Sequence, residues 1–411
     1  MFNSRLAGAL AVFAAVAVAP QAVAAVPAND SGASLDAAAE AYRAVYPQLS
    51  PAAAESAAAD QPSRTALYDS IPDDRFGGAW YDPPSNTVHI AATNAETAEA
   101  ALRRGRALGL RVETKLVTRS FDELERQAAL LRGGAGPLGA AAEGQVGIEV
   151  ETNRVLVAVP PAQRASLTAG GVPAGVKVID DPGTGVETDV CDARDNCDTG
   201  VRAGARLWRT NVGSEVCSVG FTGRDFSTDT RWTITAGHCS NGFLVNWGTV
   251  GETIGPLIAT MNSGSVDASA ILINNSRYTT DLGGRIYRDA AFGGIVDVNA
   301  AVSTLADIVA GDTVCLAANF TDVNGPNLCG VIGTNSDPAV RGMARVDGVD
   351  ACGGDSGGGW YSKSGNTRTA YGFHSRSDVG CHGAPATADS WFSPWPTVQN
   401  VLLPGVDIET R

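Results

Sequence analysis

Thr235-Ala-Gly-His238-Cys239 and Gly353-Gly-Asp-Ser356-Gly-Gly-Gly359 are the stretches on which the reading of this 411-residue chain turns. The first follows a short apolar strand, Trp232-Thr-Ile234, and the second is a glycine-dense loop. Between them, Val266-Asp267-Ala268-Ser269-Ala270 opens an apolar strand with an acid near its start. A serine hydroxyl is a weak nucleophile near neutral pH. It needs a base within hydrogen-bond reach, and the base needs an orienting acid. Ser356, His238 and Asp267 supply those three types. Glycines around a nucleophile let the backbone aim its N–H groups at one point, so Gly354 and Ser356 are the expected oxyanion donors.

Outward from these motifs the chain divides in two. From about residue 182, short apolar strands alternate with Gly, Asn, Asp and Ser, and helical periodicity returns only over 397–403. That pattern predicts an all-β barrel or sandwich. Upstream the texture is mixed α/β, with no Cys anywhere in 26–190. Asp36–Tyr42 reads as helix, Thr87–Ala91 as strand, and Asn94 as the cap of a helix running to Leu108. Arg111–Val117 is a second strand. Ser120-Phe-Asp-Glu123 matches a capping box whose helix stops at Gly133-Gly134. Gly147–Glu151 and Arg154–Val159 read as strands about a turn at Thr152-Asn153. His89, in mid-strand, reads as structural. No repeat of fixed period is evident.

Composition narrows the chemistry. Thirty Lys+Arg against 44 Asp+Glu give a net charge of −14, which argues against a nucleic-acid partner, since phosphate binding requires a basic face. Lys115, Lys177 and Lys363 are the only lysines, and His89, His238, His374 and His382 the only histidines. No interior run approaches the ~18 apolar residues of a membrane span. Arg5, the apolar Leu6–Val18 and the Ala22-Val23-Ala24 pattern predict a secretory signal cleaved near Ala24 or Ala25. The alternative is an N-terminal anchor, disfavoured by the short apolar segment. Export permits disulfides, and the eight cysteines can all pair.

The order TAGHC, D-A-S, GDSGG resembles that of chymotrypsin-fold serine proteases. The Gly-His-Cys variant and the short His–Asp interval resemble the bacterial branch typified by alpha-lytic protease and the streptogrisins. Phe76-Gly-Gly-Ala-Trp80, Arg111–Lys115 and Arg154–Val157 are similar to the prodomain of that branch. The resemblance implies an all-β double β-barrel catalytic domain, with the triad in the cleft between barrels, preceded by an α/β prodomain. The expected organisation is a signal peptide over 1–25, a prodomain acting as folding assistant and inhibitor over 26–181, and a protease domain over 182–411. It also implies the disulfides Cys217–Cys239, Cys352–Cys381 and Cys315–Cys329, leaving Cys191 and Cys197 to pair; counting alone allows 105 connectivities. By resemblance Ser375 hydrogen-bonds the triad acid.

Asp350 stands where trypsin-like members carry the acid at the base of the specificity pocket, with Ser377 and Ala386 as possible wall residues. A buried carboxylate there would favour Arg or Lys before the scissile bond. The alpha-lytic branch instead has a cysteine at that offset, so the loop departs from the branch. That branch also pairs the acid next to the nucleophile, here Asp355, with an arginine, but the corresponding position is Leu316; Arg341 or Arg345 are the substitutes. Asp281 rivals Asp267 as the orienting acid.

The acids Asp189, Asp192, Asp195 and Asp198 read as a solvated loop rather than a calcium site, and no metal or other cofactor is expected. Gly354–Gly358 also fits the nucleophile elbow of α/β-hydrolases, with Asp378, Asp389, His374 and His382 following, although its flanks lack a strand-turn-helix pattern. The expected partners are protein or peptide substrates and the chain's own prodomain, without nucleic acid or membrane, and the expected location is extracellular. The competing class is an inert secreted pseudoprotease used for binding.

Overall fold

In the computed structural model the residues described are 30–142, 146–180, 187–188, 201–209, 216–240, 246–249, 252–279, 283–287, 295–318, 328–364, 367–378 and 388–411. The downstream half is built on two large, mostly antiparallel sheets. In the first, Val266–Leu272 lies between Thr230–Thr235 and Glu252–Ser263, and the sheet extends through Thr222–Asp225 to Asp407–Ile408 on one side. On the other it extends through Asn246–Thr249 and Arg206–Arg209 to Val216–Ser218. Its inward side chains, including Leu207, Trp247, Ile254 and Ile271, are fully buried.

In the second sheet, Thr367–Ser377, Gly359–Ser364, Thr313–Ala317, Leu328–Asp337, Met343–Asp347 and Asp389–Pro394 follow one another. Pairing of Asp389–Pro394 back onto Thr367–Ser377 closes six strands into a barrel. Trp360, Phe373 and Phe392 fill it. The fold class is therefore the expected all-β double barrel preceded by an α/β region. Closure also removes the exposed edges an open sheet would offer for aggregation.

The capping signals upstream act as read. Asn94 accepts the Thr97 N–H ahead of the helix Ala95–Ala107, and both halves of the Ser120/Glu123 capping box form ahead of Phe121–Arg132. The last α-helix runs Trp395–Val401, two residues earlier than its periodicity implied. Pro394 and Pro396 set that start, because proline is pre-formed for the first turn.

The upstream region contains a repeat that sequence periodicity did not reveal. Phe76–Asp82, Thr87–Ala92 and Val112–Leu116 form a hairpin followed by a parallel strand, joined through a crossover helix. Val146–Glu149, Arg154–Val159 and Val176–Asp180 do the same. Both hairpins turn on an asparagine in the left-handed region, Asn86 at φ 49° and Asn153 at φ 54°, where asparagine is better tolerated than other side chains. The two units share no motif strings, only this β-β-α-β order.

The upstream region packs on the second barrel. Tyr42 Oη donates to the Gly311 carbonyl at 2.9 Å, and Gln61 exchanges two hydrogen bonds with the Thr313 backbone. Arg64, fully buried, donates to Asp312 at 2.7 Å, to the Ala57 carbonyl and to Tyr42 Oη, with its guanidinium 3.9 Å from the Tyr81 ring centre. Lower down, Arg132 donates to Ser336 Oγ at 3.0 Å. Of the three basic residues after which self-processing is expected, Arg194 lies outside the described residues, and Lys177 and Arg202 sit in a paired strand and in a buried segment respectively. Neither offers the exposed, extended segment that proteolysis prefers.

The buried pair generates a stability test. Arg64→Leu strands the Asp312 carboxylate without its counter-ion and should lower the unfolding free energy of the full chain by about 3–5 kcal/mol. Replacing both members with leucine should recover most of that loss, as read by denaturant unfolding followed by tryptophan fluorescence.

Candidate active site

His238 opens a single 3₁₀ turn directly after the strand Thr230–Thr235, and Asp267 sits at the start of the neighbouring strand. Tight packing of these elements follows from Gly237, where an added Cβ would fall 1.9 Å from the Met261 carbonyl oxygen. The His238 backbone N–H donates to Asp267 Oδ1 at 2.7 Å and the ring Nδ1 faces Oδ2 at 2.7 Å. The carboxylate thus holds both the loop and the ring. The second barrel adds a third donor, Ser375 Oγ, at 2.6 Å to Oδ2. Burial alone would push the Asp267 carboxyl up, but the His238 ring and the hydrogen bonds from His238 and Ser375 hold it below its ordinary range. Asp267 is therefore an ionised, fully buried acceptor.

Across the cleft, Ser356 Oγ lies 2.8 Å from His238 Nε2. With Nδ1 facing the carboxylate, Nε2 is the ring atom that faces the hydroxyl. The loop around Ser356 is tied to the first barrel at two points: Ser218 N–H donates to the Ser356 carbonyl at 2.7 Å, and Ser218 Oγ to the Gly354 carbonyl at 2.8 Å. Gly354 adopts φ +99°, a conformation that strains L side chains, and space lies open where its Cβ would be. Cys217–Cys239 bridges the strand carrying Ser218 to the turn carrying His238. Each group of the cleft is thus fixed from a second direction.

The other sequence-derived residues are placed as follows. Cys315–Cys329 is formed between directly facing strand residues, and Cys352 is disulfide-bonded. Cys381, Cys191, Cys197, Asp281, Ala386 and the acids at 189, 192, 195 and 198 lie outside the described residues. Asp350 is buried beyond the end of the Met343–Asp347 strand. Ser377, also buried, shares a 2.9 Å hydrogen bond with Ser390, which donates to the Val349 carbonyl. The segment carrying Asp350 and the strand carrying Ser377 are thereby stitched together.

Asp355 is fully buried and accepts the Cys352 N–H at 2.7 Å. The two arginines offered as its partners are engaged elsewhere: Arg341 with Asn262, and Arg345 with Asp347. The elbow alternative is set aside, because Ser356 leads into the β-strand Gly359–Ser364 rather than a helix. Within it, Asp378 accepts the Asp389 N–H and His374 is buried in the barrel beside Trp360.

Sequence reasoning missed Ser218 and Ser393. Ser393 Oγ accepts the Asp267 N–H at 2.7 Å from the far strand of the second barrel. Nothing local marks either serine, since each acts through a backbone group more than a hundred residues away.

Among the described residues, no group of three or more His, Cys, Asp or Glu side chains could hold a metal ion, and no helix is long and apolar enough to cross a membrane.

Ser375→Ala removes one of the three donors to the Asp267 carboxylate, so its carboxyl should rise toward the ordinary range. A depressed carboxyl contributes stability that is complete above its unfolded pKa and is lost as pH falls through the folded value. Raising that value brings the loss forward. The midpoint of acid unfolding, read by near-ultraviolet circular dichroism, should therefore lie at higher pH in Ser375→Ala than in the wild type.

No family model matches the sequence, and no curated protein matches it. Among solved structures, the chain is similar to the crystal structure of Cellulomonas bogoriensis chymotrypsin, at 25% identity and a TM-score of 0.38, over 52% of this chain and 100% of that one. It is also similar to the alpha-lytic protease homolog N4, at 23% identity and a TM-score of 0.34, over 49% of this chain and 98% of that one.

Proposed function

We propose that the chain is a secreted serine endopeptidase made as a zymogen, with a signal peptide over 1–25, a prodomain over 26–181 and a protease domain over 182–411. The observation that carries this reading is the continuous hydrogen-bonded line from Ser356 Oγ through the His238 ring to the buried Asp267 carboxylate. An inert binding scaffold has no use for a buried charge aligned with a nucleophile.

Ser356 Oγ attacks the peptide carbonyl carbon while His238 Nε2 takes the hydroxyl proton. Asp267 keeps the ring in the tautomer that can accept it and stabilises the imidazolium. The Gly354 and Ser356 N–H groups receive the charge that develops on the carbonyl oxygen. The C–N bond then breaks as the imidazolium gives its proton to the leaving amine, and an acyl-enzyme remains on Ser356. Water, deprotonated by the same ring, releases the acid and restores the hydroxyl. These steps call for no metal or other cofactor.

The upstream region serves as folding assistant and inhibitor in this reading. Barrels closed by strands distant in sequence fold slowly, and a template that holds one of them lowers that barrier. Tyr42, Gln61 and Arg64 all grip the start of the Thr313–Ala317 strand, a position suited to templating the second barrel. The disulfides Cys217–Cys239 and Cys315–Cys329 fit an oxidising, extracellular location.

Ser356→Ala should lower peptide hydrolysis by about 10⁴-fold or more and should leave the precursor at full length on a gel. Hydrolysis at the wild-type rate would remove Ser356 as the nucleophile, and absence of a fluorophosphonate adduct on the wild-type serine would favour the inert scaffold.

Specificity is assigned to Asp350. Its buried carboxylate makes a basic side chain before the scissile bond the preferred one. Matched substrates with Arg, Phe or Ala at that position should show kcat/KM highest for Arg, and a preference for Phe or Ala would take Asp350 out of the pocket base.

A further inference from the structure

Three hydroxyls line up behind the histidine within the first barrel. Ser269 sits two residues after Asp267 on the strand Val266–Leu272, so both side chains leave the same face of it. Its cross-strand partner on Glu252–Ser263 is Thr260. Ser240 closes the 3₁₀ turn that His238 opens. Ser269 Oγ donates to Thr260 Oγ1 at 2.8 Å, and Thr260 Oγ1 lies 2.8 Å from Ser240 Oγ. Ser240 Oγ in turn donates to the Gly237 carbonyl at 2.8 Å. Ser240 and Ser269 are fully buried.

A hydroxyl has one hydrogen to donate, and that gives the line a direction. Ser269 gives its hydrogen to Thr260, and Ser240 gives its own to the Gly237 carbonyl. Thr260 then has two acceptors in reach, Ser240 Oγ at 2.8 Å and the Gly237 carbonyl at 3.4 Å. The shorter contact is the better hydrogen bond. The chain therefore runs from Ser269 through Thr260 and Ser240 to the Gly237 carbonyl without reversal, and bonds aligned in this way polarise one another. The peptide unit at its end carries the His238 N–H, which donates to Asp267 Oδ1 at 2.7 Å. Electron density drawn toward the Gly237 oxygen makes that N–H a stronger donor. The path leaves the Asp267 strand at Ser269 and returns to the Asp267 carboxylate.

The Gly237–His238 peptide is well placed to pass this on. It is squeezed between the Met261 carbonyl and the carboxylate, since a Cβ on Gly237 would fall 1.9 Å from the first and 2.9 Å from Asp267 Oδ1. Its plane is set by the bonds at its two ends, the Ser240 hydroxyl at the carbonyl and Oδ1 at the N–H. The two carboxylate oxygens thus have separate supports. Oδ2 takes the His238 ring and Ser375, and Oδ1 takes the His238 amide. Packing alone asks for no hydroxyl at position 260, because valine matches threonine in shape and suits a strand equally.

We propose that Thr260, linked to Ser269 and Ser240, is a positioning residue of the reaction: the three hydroxyls form a one-way hydrogen-bond chain that polarises the Gly237–His238 peptide and fixes the Oδ1 side of the Asp267 carboxylate. The inference rests on the serine endopeptidase reading and extends it to side chains that act on the histidine and the acid through the main chain.

The test compares the wild type with Thr260→Val, Thr260→Ser and Ser269→Ala, using the best cleaved of the matched Arg, Phe and Ala peptides across a range of pH. Thr260→Val keeps the shape and deletes the hydroxyl, and its kcat should fall about tenfold at unchanged KM. Thr260→Ser restores the chain and should work at close to the wild-type rate. Ser269→Ala, at the far end, should lower kcat about threefold. A weaker donor at Oδ1 leaves more negative charge on Asp267 to favour the imidazolium, so the base is lost at higher pH. The acidic limb of kcat/KM should therefore move to higher pH in Thr260→Val and Ser269→Ala, and stay in place in Thr260→Ser. Wild-type kcat and limb in Thr260→Val, or a loss that Thr260→Ser shares, overturns the proposal while leaving the protease reading intact. Should Thr260→Val fail to fold, Ser269→Ala alone carries the test with the same criteria. If the wild type cuts no peptide and Ser356 takes no fluorophosphonate, the protease reading falls instead. NMR of the His238 amide proton then decides the chain: an upfield move in Ser269→Ala supports it, and an unmoved signal removes it.

Discussion

A carboxylate without water is the constraint around which the cleft is organised. Asp267 is wholly buried, and an ion in that setting costs several kcal/mol unless donors replace its hydration. The first barrel offers two donors from His238, the backbone N–H and the ring. The second offers Ser375 to the carboxylate, and Ser393 takes up the amide of the same residue. Satisfying one charge therefore requires both barrels to be in place. The ring orientation that faces Ser356 is a by-product of that solvation, and it holds ring and hydroxyl in contact without further rearrangement.

The join between the upstream region and the second barrel follows the same logic. Arg64 enters a site with no solvent and meets Asp312, two oxygen acceptors and an aromatic face. A buried ion pair gives little net stability over an apolar contact, but a mismatched partner would leave a bare charge. Such a pair specifies which surfaces belong together. Gln61 does this in neutral form, copying a strand neighbour's two hydrogen bonds at Thr313. The upstream region is thus fitted to one particular strand start, while the core remains continuous from Val146 and Val157 through Trp360 to Phe221 and Ile234.

Much of the local structure was legible beforehand because its causes are local. A capping box needs only Ser120 and Glu123, four residues of chain. The all-β character of the second half followed from short strands between turn formers. Elements depending on distant partners were not legible. The paired β-β-α-β units share topology without shared strings, so no periodicity betrays them. The destinations of Arg341 and Arg345 could not be read either, because a long flexible cation is equally at home beside any acceptor that folding brings near.

The sequence by itself determined the three candidate groups and their order along the chain: a histidine after a strand, an acid opening another and a serine among glycines. Those types and their spacing follow from what each residue can do chemically. Tertiary structure alone decided that Ser218 and Ser393 brace the cleft, that Asp355 turns to the Cys352 amide, and that Glu187–Thr188 lies along Arg376–Ser377. The physical reason is that each of these is set by backbone geometry. Every residue carries the same N–H and C=O groups, and which of them meet is settled only when the barrels close.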